Sequence, residues 1–451
     1  MSEAAPPDVR ALRACFEGAI PAVMATSAAD GTPNVAYVSQ VYYVDAQHVA
    51  LSFQFFNKTR ANILAHPQAA VLVMDPVTAR YHRLQLRYLR TETGGALFER
   101  MQAQLAGIAS HTGMAGVFRL RGADVYRVEA VESLPGDGLP PPAPGPDRLA
   151  AVRQVAERLA ACASTDALLQ ALMAALHDWL GVRHAMVLAL DGVAGRLYTV
   201  ASLGYAASGV GSEIALGEGL IGVAAQQRTV LRVGHMANVA SYGHAVRASL
   251  RADAPGLRLD TEIPFPGLPA PQSQVALPLL SAGRLLGVLF AESPDELAFG
   301  FEDEDALAAI AAHLATAMDA LQECSEASEP VEAAATAPAA QGQPLAVRHY
   351  HANDSVFVDG HYLIKGVAGA ILAKLLREHQ RDGRCEFSNR ELRLDPALKL
   401  PDLGDNLEAR LVLLQRRLQE QCQNLRIEKT GRGRFRLRVA RPVALSEEPA
   451  P

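Results

Sequence analysis

One short segment of the chain brings together several groups that can bind a phosphate. Asn57-Lys58-Thr59-Arg60 follows an apolar, β-favouring run and precedes a helical stretch that ends where Pro67 stops it. The backbone N–H groups at the start of a helix attract an anion, and a hydroxyl and two cationic side chains add donors and charge. From the residues alone, this segment is either a phosphate site or a solvated turn.

Two further segments carry patterns with a chemical interpretation. Gly217, Gly219 and Gly222 are spaced like a phosphate-binding loop, but no Walker lysine follows them, so a tight entry into a helix explains them better. Residues 345–441 hold 19 Lys/Arg against 12 Asp/Glu, a net charge of +7, whereas the whole chain carries -6. A basic segment on an acidic body indicates either an anionic partner, usually nucleic acid, or only a soluble surface.

The composition bounds the class of protein. A chain of 451 residues with 49% apolar and 20% charged residues predicts two to four folded domains. Its five cysteines lie far apart and form no C-x-x-C pair, which favours reduced thiols over disulfides or a zinc site. No apolar run is long enough for a membrane span, and no signal peptide is evident, so we expect a soluble cytoplasmic protein.

Two segments of linker composition divide the chain. Residues 135–146 are rich in proline, and residues 323–344 are rich in Ala, Glu, Pro and Gln, so neither can pack a core. We therefore predict three domains, residues 1–134, 147–322 and 345–441, followed by a disordered tail at 442–451.

The first domain has the pattern of an antiparallel barrel, because short β-favouring runs alternate with turn residues. The segment 118–128, FRLRGADVYRV, is interpreted as a closing hairpin with Gly122 at its turn. The segment LSFQFFNKTRANILAHPQAAVLVMDP resembles the pyridoxamine 5'-phosphate oxidase-like FMN-binding split barrels, and this resemblance covers residues 12–131.

The resemblance implies an FMN site and a homodimer, since the flavin sites of that family lie at the subunit interface. Its implied FMN contacts are the phosphate-binding residues Asn57, Lys58, Thr59 and Arg60 and the ribityl or ring contacts Ser39, Gln40, Ser52 and Gln54. The family also has haem-binding members, so haem, with His66, His82 or His111 as iron ligand, or no cofactor at all, stays an alternative.

The second domain has a mixed α+β order of helices, strands and a long closing helix. LGEGLIGVAAQQRTVLRV, SQVALPLLSAGRLLGVLFAES and FGFEDEDALAAIAAHLATAM resemble a GAF domain over residues 147–322. Such domains bind a small ligand over the sheet or dimerise through flanking helices. The candidate pocket residues are Tyr205, His235, Tyr242 and His244, which are either ligand contacts or surface loop residues.

The third domain has the order of a winged helix-turn-helix: a hairpin around Asp359-Gly360, three helical stretches and two strands around residues 431–433. SVFVDGHYLIKG, FSNREL, DNLEARLVLLQRRL and RIEKTGRGRFRLRV resemble the effector domain of response-regulator transcription factors. The resemblance makes 405–421 the recognition helix. The implied DNA contacts are Arg410, Gln415, Arg416 and Arg417 on that helix and Lys429, Arg432 and Arg434 on the wing; a protein partner for the same fold stays open.

These expectations combine into a leading hypothesis and two alternatives. The leading one is a sensor or transcription regulator in which a flavin, and a GAF ligand, bias a dimer whose basic winged helices bind DNA. The alternatives are an FMN-dependent oxidoreductase with regulatory domains, in which the flavin does the chemistry, and a dimeric scaffold that binds other proteins. No residue is assigned a catalytic role.

Overall fold

The fold is described from a computed structural model of the chain. It describes residues 8–16, 20, 22–38, 41–53, 58–111, 120–140, 145–234, 263–326, 342–398, 400 and 407–448. All statements about the structure concern these residues.

The N-terminal domain is built on an antiparallel sheet. Seven described strands pair in the order β2-β1-β5-β6-β7-β4-β3. Their interior is filled by Leu12 and Phe16 of a short 3-10 helix and by alternate residues of the strands. The elements are β1 (Ala22–Ser27), β2 (Pro33–Val38), β3 (Val41–Asp45), β4 (His48–Phe53), α1 (Lys58–Ala65), β5 (Gln68–Met74), β6 (Tyr81–Glu92), α2 (Ala96–His111) and β7 (Gly122–Ser133).

The predicted closing hairpin of this domain is wrong. Gly122 begins the twelve-residue strand β7, where it pairs with Phe53, and it does not lie in a turn. Residues 118 and 119 of the predicted hairpin lie outside the described residues, and residues 122–128 belong to a single strand that pairs with both β4 and β6. Its start is buried because β7 lies in the middle of the sheet.

The middle domain places helices on both faces of a six-stranded sheet of order β10-β9-β8-β13-β12-β11. Ser164 caps its second helix by accepting a hydrogen bond from the Ala167 N–H. A hairpin turns at Ala282 and Gly283, with positive φ at both residues. The elements are α3 (Arg148–Ala160), α4 (Thr165–Leu180), β8 (His184–Asp191), β9 (Arg196–Leu203), β10 (Glu213–Ala215), α5 (Gly219–Gln227), β11 (Leu231–Val233), β12 (Ser273–Ser281), β13 (Arg284–Ser293) and α6 (Phe301–Glu326).

The C-terminal region is rich in sheet. A four-stranded sheet of order β16-β15-β14-β20 and a three-stranded sheet of order β17-β19-β18 enclose three helices. The expected hairpin at Asp359-Gly360 is present, and Ser388 caps the short helix that begins at Asn389. The elements are β14 (Leu345–Tyr350), β15 (Ser355–Val358), β16 (His361–Ile364), α7 (Gly366–Asp382), β17 (Glu386–Ser388), α8 (Asn389–Arg393), α9 (Leu407–Gln421), β18 (Leu425–Gly431), β19 (Arg434–Val439) and β20 (Val443–Glu448).

The tail expected to be disordered contains strand β20. Val443–Glu448 pairs in parallel with the whole of β14, from Leu345 to Tyr350. Val443 and Leu445 pack on the hydrophobic core, and this apolar alternation was overlooked because acidic residues follow it.

The GAF-like middle domain contacts both of its neighbours. On one face of its sheet, α5 packs against α2 of the N-terminal domain, and a Cβ at Gly107 of α2 would lie 3.0 Å from Leu231 and 3.1 Å from Leu220. On the other face, the core under α3, α4 and α6 continues into the C-terminal region through α9. No described helix is long and apolar enough to cross a membrane.

The backbone around the start of α5 leaves no room for a side chain at Gly222. A Cβ there would lie 2.3 Å from the carbonyl oxygen of Ala215, and a backbone atom in a strand cannot move away cheaply. We expect Gly222→Ala to lower the free energy of unfolding by about 2 kcal/mol. Gly94→Ala, where a Cβ meets nothing within 4 Å, should have little effect in the same urea titration. Equal stability of the two variants would contradict the tight-entry interpretation.

Candidate functional site

The predicted phosphate segment lies where the structure begins α1. Lys58 is the first residue of that helix and is exposed, and within the described residues its ammonium group makes no ion pair. Its charge therefore stands beside the first N–H groups of the helix, which have no partners within the helix. This arrangement can receive an anion from solvent.

Thr59 and Arg60 are both engaged with the sheet. The Thr59 hydroxyl accepts a hydrogen bond of 3.0 Å from the side chain of Asn34. Arg60 points into the domain, where its guanidinium donates to both oxygens of Asp124 at 2.6 Å and to Thr91 at 3.0 Å. Because Asp124 is only 5% exposed, Arg60 neutralises a buried carboxylate.

The remaining predicted flavin contacts are covered only in part. Ser52 lies on β4 and is half-buried. Ser39, Gln40, Gln54 and Asn57 lie outside the described residues.

The histidines considered as iron ligands do not converge in the described part of the chain. His66 follows α1 and is exposed, while Nδ1 of His82 lies 3.0 Å from the Ser133 hydroxyl on the neighbouring strand β7. Partial burial lowers the pKa of His82. The side chain of His111 is outside the described residues.

A row of polar side chains crosses one end of the GAF-like sheet. Glu292 on β13 is paired in register with His184 on β8 and with Gln274 on β12. Its carboxylate is only 2% exposed and accepts bonds from the Gln274 amide at 3.0 Å and from the Leu268 backbone N–H at 2.7 Å. Nδ1 of His184 is buried and has no hydrogen-bond partner within the described residues. The carboxylate is thus satisfied within the protein, and the unpartnered ring nitrogen of His184 makes this row a candidate recognition site in otherwise apolar surroundings.

Tyr205 lies in the same row and was the one predicted pocket residue that the structure describes. Its ring is 5.5 Å from the ring of His184, and burial together with the Glu292 charge raises its pKa. A cavity of about 170 Å³ at this end of the sheet is lined by Glu292 but not by His184, Gln274 or Tyr205. The other predicted pocket residues, His235, Tyr242 and His244, lie outside the described residues. Sequence reasoning missed Glu292 and Gln274, whose signal was a polar residue within an apolar strand.

The helix predicted to read DNA instead packs against the GAF-like domain. Arg410 of α9 is buried, forms an ion pair of 2.8 Å with Asp191 and lies over the ring of Tyr198 at 4.4 Å. Arg416 donates to Asp166 at 2.8 Å and to the Val200 carbonyl at 2.6 Å. We call this contact, formed by Arg410, Arg416, Asp191, Asp166 and Val200, the seam.

The Asp191 carboxylate is held ionised in the seam. Burial raises its pKa, but the Arg410 charge and the N–H groups of Ala194 and Val193 outweigh this effect, so the pKa lies below its ordinary value. The contribution of the ionised Asp191 to folding stability is complete above its ordinary pKa of about 3.9. It is lost as the pH falls through the lower pKa of the folded state.

The other predicted DNA contacts differ in their accessibility. Arg417 is buried and donates to the Leu363 carbonyl at 3.0 Å, and Gln415 is half-buried. Lys429 forms an ion pair of 3.2 Å with Glu408, whereas Arg432 and Arg434 are exposed at the β18–β19 hairpin. In this arrangement, Arg410, Arg416 and Arg417 are not available to a DNA groove.

Comparison with known protein families supports two of the three domains. The family model described as "Pyridoxamine 5'-phosphate oxidase" matches residues 9–126, and the model of the GAF domain matches residues 164–318. The chain thus contains an N-terminal domain like those oxidases and a GAF domain, as predicted. Neither match extends to the C-terminal region, and nothing in these comparisons supports a winged helix or DNA binding there. No curated protein matches the chain.

Solved structures each resemble a part of the chain. The GAF domain of an Acinetobacter phosphoenolpyruvate-protein phosphotransferase is 20% identical, with a TM-score of 0.30 over 38% of this chain and 91% of that one. Group A Streptococcus HupZ (H111A, tagged) is 19% identical, with a TM-score of 0.23 over 28% of this chain and 98% of that one. An FMN-binding protein from Syntrophomonas wolfei is 15% identical, with a TM-score of 0.24 over 28% of this chain and 88% of that one.

The two cations of the phosphate segment should behave differently on substitution. Arg60→Ala leaves the buried Asp124 carboxylate without its charge partner, so we expect the free energy of unfolding to fall by about 3 kcal/mol. Lys58→Ala removes an exposed side chain and should change stability by less than about 0.5 kcal/mol. Chemical denaturation of the cofactor-free protein measures both values. Equal losses would mean that Lys58 is also structural.

Proposed function

We propose that this protein is a flavin-binding sensory regulator in which the N-terminal domain holds FMN and the GAF domain relays ligand state to the C-terminal region. The observation that carries this proposal is the central position of the GAF domain. It is packed against the N-terminal domain by α2 and α5 and joined to the C-terminal region by the seam. A change in either ligand-binding domain therefore reaches the output region through direct contacts.

The N-terminal domain has groups suited to the phosphate of FMN. The exposed Lys58 supplies positive charge, and the first turn of α1 supplies backbone N–H groups. Arg60 and Asp124 fix the position of that helix against the sheet. We propose that Lys58 and Thr59 hold the phosphate and that Ser52 lies towards the ribityl chain or ring. Bound FMN would supply redox chemistry or a light-absorbing ring, and the chain would supply its orientation.

An exposed apolar surface beside the phosphate segment supports the expected homodimer. Val35 and Tyr37 on the edge strand β2 are 66% and 83% exposed, and Leu64 on the neighbouring helix α1 is 59% exposed. Apolar side chains grouped beside an open sheet edge mark an interaction surface more often than a solvent face. We propose that a second copy of the chain covers it.

The third element of the proposal is an output on DNA by the C-terminal region. It is supported by the order of elements from β14 to β20, by the net charge of +7 over residues 345–441 and by the exposed Arg432 and Arg434. Because the seam occupies Arg410 and Arg416, we propose that the described arrangement is the closed form. Opening of the seam would release α9 for a groove.

The first test concerns FMN. We expect the purified protein to bind FMN, and Lys58→Ala to weaken binding by about 1.5 to 3 kcal/mol because a charge-assisted phosphate contact is lost. Flavin fluorescence quenching measures the dissociation constant. Arg83→Ala, an exposed arginine of β6 paired with Glu132, is the matched control and should bind FMN normally. Failure of the wild type to bind added FMN would overturn the cofactor assignment.

The second test concerns the seam. Asp191→Asn leaves the buried Arg410 without a counter-charge, so it should favour the open form and raise DNA affinity of the full chain by about tenfold. Asp319→Asn is the control, because Asp319 is as buried as Asp191 but pairs with Arg284 inside the GAF domain. Fluorescence anisotropy with mixed DNA fragments should also show affinity falling steeply with salt. Absence of DNA binding by both variants at low salt would refute this output.

A further inference from the structure

Three side chains of the C-terminal four-stranded sheet bring ligand atoms close together. His349 lies near the end of β14, and His351 directly follows that strand. Glu447 on β20 is the register partner of His349 in the parallel pair. One ligand atom of each residue lies within 4.8 Å of the other two.

His349 has the hydrogen bonding of a metal-ligating histidine. Its side chain is 3% exposed, and its Nε2 lies 3.0 Å from the Asp354 carboxylate. Its Nδ1 is buried and has no hydrogen-bond partner within the described residues. A carboxylate that accepts from one ring nitrogen fixes the tautomer and leaves the lone pair of the other nitrogen for a metal. Without a hydrogen-bond donor or a metal, that buried nitrogen costs desolvation free energy.

The other two residues complete a set of nitrogen and oxygen donors. Nε2 of His351 lies 3.6 Å from Oε2 of Glu447, which is too long for a hydrogen bond, and the two imidazole rings are 4.7 Å apart. Arg377 donates to Oε1 of Glu447 at 3.0 Å and so orients the carboxylate, while Oε2 faces His351.

We propose that His349, His351 and Glu447 form a binding site for a divalent transition-metal ion of the Zn²⁺ type. Two imidazoles and one carboxylate suit Zn²⁺ and its neighbours in the first transition row, whereas Mg²⁺ and Ca²⁺ prefer all-oxygen sites. Three protein ligands leave one tetrahedral position for water. The ion links β14, at the start of the C-terminal region, to β20, at its end, and so stabilises the pairing of these two strands in the four-stranded sheet.

The test is metal binding by the full-length chain without a histidine tag. Titration of Zn²⁺ in competition with a chromophoric chelator should show one site per chain, and Co²⁺ should give the visible absorption bands of a low-coordinate N/O site. We expect His351→Ala and Glu447→Gln each to weaken Zn²⁺ binding at least tenfold. His351 is 52% exposed, so its substitution should leave the fold intact, as circular dichroism can verify.

The control is His177→Ala, an exposed histidine beside Asp178 on α4, which should bind Zn²⁺ like the wild type. Zn²⁺ should also raise the unfolding temperature of the wild type and of His177→Ala, but not that of His351→Ala, while Mg²⁺ raises none of them. The proposal is overturned if the wild type takes up no Zn²⁺ and shows no Co²⁺ bands, if His351→Ala binds as tightly as the wild type, or if His177→Ala loses as much affinity.

Discussion

The architecture depends on a sheet that is apolar on both faces. Strands β8, β12 and β13 are almost wholly buried, with residues such as Val187 and Leu289 on one face and Leu188 and Phe290 on the other. Such a sheet is stable only if both faces are covered. Helices of its own domain cover one face, and α5, backed by α2 of the N-terminal domain, covers the other. The packing of the N-terminal domain on the GAF domain thus satisfies the same constraint that shapes the GAF core.

Charged contacts position the C-terminal region on this frame. A buried ion pair contributes little net stability because desolvation offsets most of the Coulombic attraction, but removal of one partner is costly. Arg410 and Arg416 therefore fix where α9 lies more than how tightly it is held. Apolar contacts between α9 and the GAF domain, such as that of Leu413 near Gly211, contribute most of the stability of this packing. The wing, with Arg432 and Arg434, stays in solvent.

Local signals predicted the folds of the first two domains well, and contacts distant in sequence were the main source of error. Caps such as Ser164 and the turn at Ala282-Gly283 depend on a few neighbouring residues, so their types suffice. The burial of Arg410 depends on Asp191, more than 200 residues away, and an arginine on a helix carries no local sign of that partner. The role of Gly122 was mistaken for a similar reason, because β4 and β6 decide that β7 is central. In the predicted phosphate segment, Arg60 looked equivalent to Lys58, and only the buried Asp124 distinguishes them.

One strand connects the polar row of the GAF domain to the seam. β8 begins at His184, which is paired with Glu292, and ends at Asp191, which forms the ion pair with Arg410. At strand geometry, His184 and Asp191 are about 23 Å apart. Its neighbour β9 carries Tyr198 beneath Arg410 and the Val200 carbonyl that Arg416 uses. A ligand in the row can regulate the seam only by binding the open and closed forms with different affinity. Conversion from a closed to an open population needs about 5.5 kcal/mol of that difference. Because the buried ion pairs contribute little net stability, the apolar contacts of α9 with the GAF core account for most of the free energy that such a ligand would have to overcome.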